Sequence, residues 1–159
     1  MKVTFMGAGS TVFSKNVLGD TMLCDSFHDV EIALYDIDAD RLEESYLVID
    51  GMNKTINQGR ATIKKYLGIP QRKDALRGAD FVVDAIDDVP AKVALLKTCL
   101  EKGLRVVSAM GAAGKYDPTL IQQADISKSY HCGLAKAVRK RLSQQEGIKS
   151  GIPVVFSPE

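Results

Sequence analysis

The sequence predicts an α/β protein with a doubly wound, mainly parallel sheet and helices on both faces. Two observations carry that prediction. Short apolar runs alternate with longer amphipathic stretches, and the first apolar run ends in a glycine-rich turn that opens a helix. A third observation sets the scale: 159 residues without a repeat, a low-complexity run or a long linker fit one domain over 1–159.

The elements follow in order. Val3-Thr4-Phe5-Met6 reads as a buried first strand, and a helix follows from about Ser10 to Cys24. Glu31 to Tyr35 is the second strand, stopped by Asp36-Ile37-Asp38. The next helix runs from Ala39 to Ile56, with Leu42, Tyr46, Ile49 and Asn53 on one stripe. Thr62 to Tyr66 is a third strand; Gly68-Ile69-Pro70 then breaks the chain, and a short helix leads to Gly78.

Phe81-Val82-Val83 with Ala85-Ile86 is the fourth strand and the most apolar. Pro90 suits the first turn of a helix that Val93, Leu96 and Leu100 continue to Gly103. Arg105 to Met110 is the fifth strand. Beyond Gly111 the alternation is less regular, with a strand over Leu120 to Ile126, a helix over Leu134 to Gln145 and a last strand at Val154-Val155-Phe156. Right-handed crossovers between parallel strands place the helices on both faces. Pro158-Glu159, just past the last strand, reads as a truncated end.

Composition excludes several classes. Apolar content of 45% and charged content of 26% are ordinary for a globular protein. The formal net charge of +1 is split unevenly, −2 over residues 1–82 and +3 over 83–159. Cys24, Cys99 and Cys132 are odd in number, far apart and without a C-x-x-C pair. With His28 and His131 they offer no metal-ligand spacing, so no metal site and a reduced, cytoplasmic setting are expected. Gly7 and Gly9 interrupt the first apolar run, which argues against a signal peptide, and no stretch is long enough to cross a bilayer. Neither a membrane nor a nucleic-acid partner is expected.

The chemistry concentrates at the first turn. Gly7-Ala8-Gly9-Ser10-Thr11-Val12 is G-x-G-x-x-V rather than the full G-x-G-x-x-G. The first glycine permits a tight turn, and the second lets a pyrophosphate approach backbone N–H groups at the helix start. The third serves helix–strand packing, so Val12 tilts the helix without removing the anion site. Asp36 ends the second strand 24 residues after Val12, where a carboxylate accepts from ribose hydroxyls and repels a 2′-phosphate. The pattern is Rossmann-like. It makes Gly7, Ala8, Gly9, Ser10, Thr11, Val12, Phe13 and Asp36 the candidate contacts of NAD, preferred to NADP. The plainer alternative is a tight turn in which Asp36 merely caps the next helix.

Two resemblances then meet in the middle. Met1-Lys2-Val3-Thr4-Phe5-Met6-Gly7-Ala8-Gly9-Ser10-Thr11-Val12-Phe13, Lys15-Asn16-Val17-Leu18-Gly19-Asp20 and Ile32-Ala33-Leu34-Tyr35-Asp36-Ile37-Asp38 carry the first. Arg41-Leu42-Glu43-Glu44-Ser45 and Lys73-Asp74-Ala75-Leu76 continue it. Residues 1 to about 80 resemble the N-terminal part of family 4 glycoside hydrolases, in the α-galactosidase branch. That resemblance implies NAD and a divalent metal in an oxidation–elimination route.

The second is carried by Asp84-Ala85-Ile86-Asp87, Ala91-Lys92, Gly111-Ala112-Ala113-Gly114, Asp117-Pro118-Thr119 and Val155-Phe156-Ser157. From about residue 80 onward the chain resembles the ThiF/MoeB-type adenylating enzymes, in the tRNA threonylcarbamoyladenosine dehydratase branch. That resemblance implies an ATP-binding half-domain in which Asp87 lies near the phosphates and Mg²⁺. The order of the two halves is that of a designed chimera, 1–80 from one parent and 81–159 from the other, spliced near strand four. Misfit is then expected near Val82, Val83 and Ile86, at about 1–3 kcal/mol per site, in a monomer or weak homodimer.

Neither parent's constellation is complete, so no catalytic residue is expected. The metal-binding Cys and His and the tyrosine of the hydrolases lie beyond the first stretch. Cys99, Cys132, His131, Tyr116 and Tyr130 belong to the other half. The glycine turn, arginine and lysine that hold ATP in the adenylating enzymes belong to the half replaced here. Gly111-Ala112-Ala113-Gly114-Lys115 lacks the first glycine of a phosphate loop, since Ala109 stands there, and reads as a strand-exit loop. Asp84, Asp87 and Asp88 read as one buried strand-end aspartate and two solvated ones, with Asp87 alone a ligand contact. Lys136, Arg139, Lys140 and Arg141, above Leu134, Val138 and Leu142, read as a solvated helix face, and the three cysteines as buried small residues. The expected ligand is NAD; ATP is the alternative, and a folded domain with no ligand is the third reading.

Overall fold

A computed structural model describes residues 1–159, which divide into two compact units, Met1–Val82 and Val83–Glu159. The first contains β1 (Lys2–Met6), α1 (Thr11–Leu23), β2 (Glu31–Asp36), α2 (Ala39–Ile56), β3 (Thr62–Leu67) and α3 (Gly68–Leu76). β4 (Phe81–Asp84) lies across the boundary. The second unit continues with α4 (Val89–Glu101), β5 (Arg105–Ala109), β6 (Gln122–Asp125), α5 (Gly133–Glu146) and β7 (Pro153–Phe156). Strand order is β3-β2-β1 in the first unit and β5-β7-β6 in the second. The fold is Rossmann-like α/β, a mostly parallel sheet with helices.

In the first unit β1, β2 and β3 pair in parallel, with Met6 opposite Tyr35 and Asp36 opposite Leu67. Every residue of β1 is buried, as a strand covered on both faces requires. Asp38 is the N-cap of α2, its carboxylate accepting from the amides of Asp40 and Arg41 at 3.1 Å each. The buried stripe of α2 is Leu42, Ser45, Ile49 and Asn53; Tyr46 instead lies half-exposed beneath the ammonium of Lys65. Gly68 does not break the chain. With φ +68 it turns β3 straight into α3, whose first turn accommodates Pro70. The far end of α3 is capped by Lys2, whose ammonium donates to the carbonyls of Asp74 (3.3 Å) and Arg77 (2.9 Å).

In the second unit β5 and β7 are parallel, and β6 joins β7 antiparallel. β4 stops at Asp84, short of Ala85 and Ile86, because the Asp84 carboxylate bends the chain by accepting from the Ile86 amide at 3.1 Å. The strand expected over Leu120 to Ile126 shrinks to Gln122–Asp125. Pro118–Leu120 and Ile126–Lys128 are 3₁₀ turns, opened by Asp117 and Asp125 as side-chain caps. α5 buries Ala135, Val138 and Leu142 and ends at Gly147 with φ +69. Its basic face is not wholly solvated: Arg139 donates to the Ser129 carbonyl at 2.7 Å and hydroxyl at 2.6 Å. Cys99 and Cys132 are buried, but Cys24 is exposed at the end of α1. No helix is long and apolar enough to cross a membrane.

Candidate functional site

The β1–α1 turn is built by its neighbours as much as by its glycines. Gly7 has φ +91, a conformation that favours glycine, and it folds the turn back so that its amide and that of Ala8 both donate to the Tyr35 carbonyl, at 3.0 and 2.9 Å. Gly9 faces α2 at close range. A Cβ there would stand 2.8 Å from Asp36 Oδ2 and 3.0 Å from Arg41 Cβ, so only a glycine fits.

The Gly9 amide does not point outward to a ligand. It donates to Asp36 Oδ2 at 2.6 Å, while the Asp38 amide donates to Oδ1 at 3.0 Å. Asp36 is therefore not the cap of α2, a role taken by Asp38. It is a half-buried carboxylate oriented by two backbone amides, with lone pairs left over on both oxygens.

The anion-binding capacity lies one step further along the chain. The first intrahelical bond onto the cap runs from Ser14 N to Ser10 O, and the amides of Ser10, Thr11, Val12 and Phe13 have no partner in the protein. No side chain caps the helix, and its first turn carries no acidic residue. Four unpaired donors at the positive end of a helix dipole can hold a phosphate or pyrophosphate. Val12 is 69% exposed, so its branched side chain stands in solvent and meets no strand at the third-glycine position. Phe13 packs on Phe5 with ring centroids 5.9 Å apart.

Ser14 and Ser45 are members of this site that sequence reasoning missed. Both are fully buried, and both hydroxyls donate to the Ala8 carbonyl, at 3.0 and 2.6 Å. Ser45 also meets the Thr11 hydroxyl at 3.1 Å. The available signal was a small polar residue on the apolar stripe of α2.

The structure thus gathers Gly7 to Phe13 and Asp36 around one turn. Asp87 belongs to the second unit, on the exposed loop between β4 and α4. Asp88 beside it caps α4 by accepting from the Ala91 amide at 2.8 Å. Asp84 is fully buried, accepting from the Ser108 hydroxyl at 2.5 Å and pairing with the equally buried Lys92 at 2.8 Å. Lys92 also donates to the Ile86 carbonyl at 2.8 Å, so the loop before Asp87 is tied at both the amide and the carbonyl of Ile86. No three His, Cys, Asp or Glu side chains gather as a metal site needs. Lys115 in the strand-exit loop donates to the Ser157 carbonyl at 2.6 Å.

With this geometry in place, comparison with known proteins decides the kinship. The model of the family 4 glycosyl hydrolases matches residues 2–122. The chain belongs to that family. The match runs past residue 80, through β5 of the second unit. Among curated relatives, the family 4 chain is 47% identical over 85 residues to an alpha-galactosidase of Bacillus subtilis, 54% of its own length and 19% of the relative's. It is 49% identical over 82 residues to the tRNA threonylcarbamoyladenosine dehydratase of the same organism, 52% of its length and 32% of the relative's. It therefore spans a third or less of either relative. Among solved structures, the Escherichia coli tRNA threonylcarbamoyladenosine dehydratase in complex with ATP aligns over 99% of this family 4 chain and 73% of its own, at TM-score 0.77 and 25% identity.

Proposed function

We propose that the chain is a dinucleotide-binding domain that takes NAD(H) at the Gly7–Phe13 turn and Asp36 and performs no chemistry of its own. The observation that carries this reading is the division of labour at the turn. Asp36 is oriented by the amides of Gly9 and Asp38, leaving the amides of Ser10, Thr11, Val12 and Phe13 for an anion. A carboxylate beside an unpaired helix N-terminus matches a ribose beside a pyrophosphate. Membership of family 4 supports NAD as the nucleotide. High identity to two different enzymes, each over about half of the chain, supports a chimera spliced near β4. The same reading takes the protein as a monomer or weak homodimer of a cytoplasmic type.

A second reading is favoured by one observation, the extent of the likeness to a dehydratase solved with ATP. In it Asp87 meets Mg²⁺ and the phosphates of ATP. Calorimetric titration with NAD⁺, ATP with Mg²⁺, and inorganic pyrophosphate separates the two. The first reading expects heat with NAD⁺, and Asp36→Ala weakens NAD⁺ about tenfold while leaving pyrophosphate nearly unchanged, because only the ribose contact is lost. Absence of heat with millimolar NAD⁺ sinks it. The second reading expects heat with ATP that Asp87→Ala abolishes, together with ATP–pyrophosphate exchange.

A further inference from the structure

The Ala8 carbonyl and the Gly9 amide belong to one peptide group, and a trans peptide points them in opposite directions. Both ends are held. The carbonyl takes the hydroxyls of Ser14 (3.0 Å) and Ser45 (2.6 Å), and the amide is taken by Asp36 Oδ2 (2.6 Å). A peptide next to glycine otherwise has more conformations open to it than any other.

The hydroxyl protons can be traced. A serine hydroxyl has a single proton, and that of Ser45 lies on the Ala8 carbonyl, which can only accept. At the 3.1 Å contact with Ser45, Thr11 must therefore be the donor. The chain of donation runs from Thr11 to Ser45 to Ala8. It turns the Thr11 proton inward and leaves only lone pairs on the outer side of that hydroxyl, which a phosphate oxygen does not seek. Thr11 serves an anion through its amide alone.

We propose that Ser45, Ser14 and Thr11 are positioning residues of the nucleotide turn. They lock the Ala8–Gly9 peptide, and through the Gly9 amide they set the Asp36 carboxylate for the ribose. This rests on the nucleotide-binding reading above. It assigns Ser45, on α2, a larger part in dinucleotide affinity than Thr11, which lies inside the glycine motif.

The test compares wild type, Ser45→Ala, Ser14→Ala and Thr11→Val by calorimetry with NAD⁺ and with pyrophosphate, well below the melting temperature. Amide hydrogen exchange at Gly9 is followed in parallel. Ser45→Ala is expected to weaken NAD⁺ about tenfold and to quicken Gly9 exchange, with pyrophosphate affinity nearly unchanged. Ser14→Ala is smaller, and Thr11→Val changes NAD⁺ affinity less than about threefold. A merely structural serine would lower the melting temperature and leave the ratio of NAD⁺ to pyrophosphate affinity where it was, which overturns the proposal. So does a Thr11→Val loss as large as that of Ser45→Ala. Wild type that binds neither ligand overturns the nucleotide reading and the affinity role together, whereas unaltered Gly9 exchange in Ser45→Ala overturns the clamp alone.

Discussion

Each unit ends a parallel strand with an aspartate, and the two carboxylates are used in opposite ways. Asp84 is fully buried and meets an ammonium, a hydroxyl and an amide, all from its own unit. Asp36 is half-buried and meets two backbone amides and no cation. A carboxylate paired with a buried lysine is committed to holding its loop. One held only by amides is aimed, yet has acceptor capacity left for a ligand. The partner set, rather than the strand-end position, tells the two apart.

The largest effect that sharpens this contrast is expected from Lys92→Met. It leaves the Asp84 charge buried without its cation, which costs about 3–5 kcal/mol. Denaturant unfolding measures it, and Asp84→Asn in the same chain should recover much of the loss. A cost below about 1 kcal/mol would mean that the pair behaves as a surface pair does. Next comes Gly9→Ala, whose Cβ would stand 2.8 Å from Asp36 Oδ2. Forcing the turn off α2 is expected to cost about 1–3 kcal/mol and to abolish NAD⁺ binding; the corresponding Gly133→Ala, with open space around its Cβ, should do neither.

The smallest effect concerns pH. Burial, with a lesser push from the Asp84 charge, raises the Cys99 thiol from 9.0 to about 11. The unfolded chain then loses that proton first as pH rises, so it binds fewer protons than the native state. Stability contributed by Cys99 is complete below pH 9 and drains away towards pH 11. Unfolding free energy followed over that range should fall in wild type and fall less in Cys99→Ala.

Much of this was legible in the residues. Alternating apolar runs placed the strands and helices, and Gly7, Gly9 and Asp36 marked the turn, because backbone conformation and strand ends leave strong local signatures. What escaped was long-range. Ser45 lies 37 residues from Ala8 in sequence, and nothing in its own segment shows that its hydroxyl will reach the turn. Lys92 and Ser108 were invisible as partners of Asp84 for the same reason: its own segment marks Asp84 as a buried strand-end aspartate, but not the lysine and hydroxyl that a helix and a second strand bring to it. The short β6 was overextended because Leu120 and Ile126 are apolar, while Asp117 and Asp125 divert the flanking backbone into 3₁₀ turns. Cys24 was expected inside because cysteine usually is, but α1 ends there, and Cys24 lies exposed beside Leu23, just past the buried Met22.

The outermost strand of each unit has a consequence for behaviour at high concentration. β3 reads Thr62-Ile63-Lys64-Lys65-Tyr66-Leu67, with Lys64 bonded to Glu31 at 2.6 Å and Lys65 paired with Glu43. β6, reading Gln122-Gln123-Ala124-Asp125, is only four residues long and runs counter to its neighbour. Two lysines on one margin and a short polar strand on the other give a passing chain little to zip onto. Strand addition by a second copy is disfavoured at β3 in the one unit and at β6 in the other.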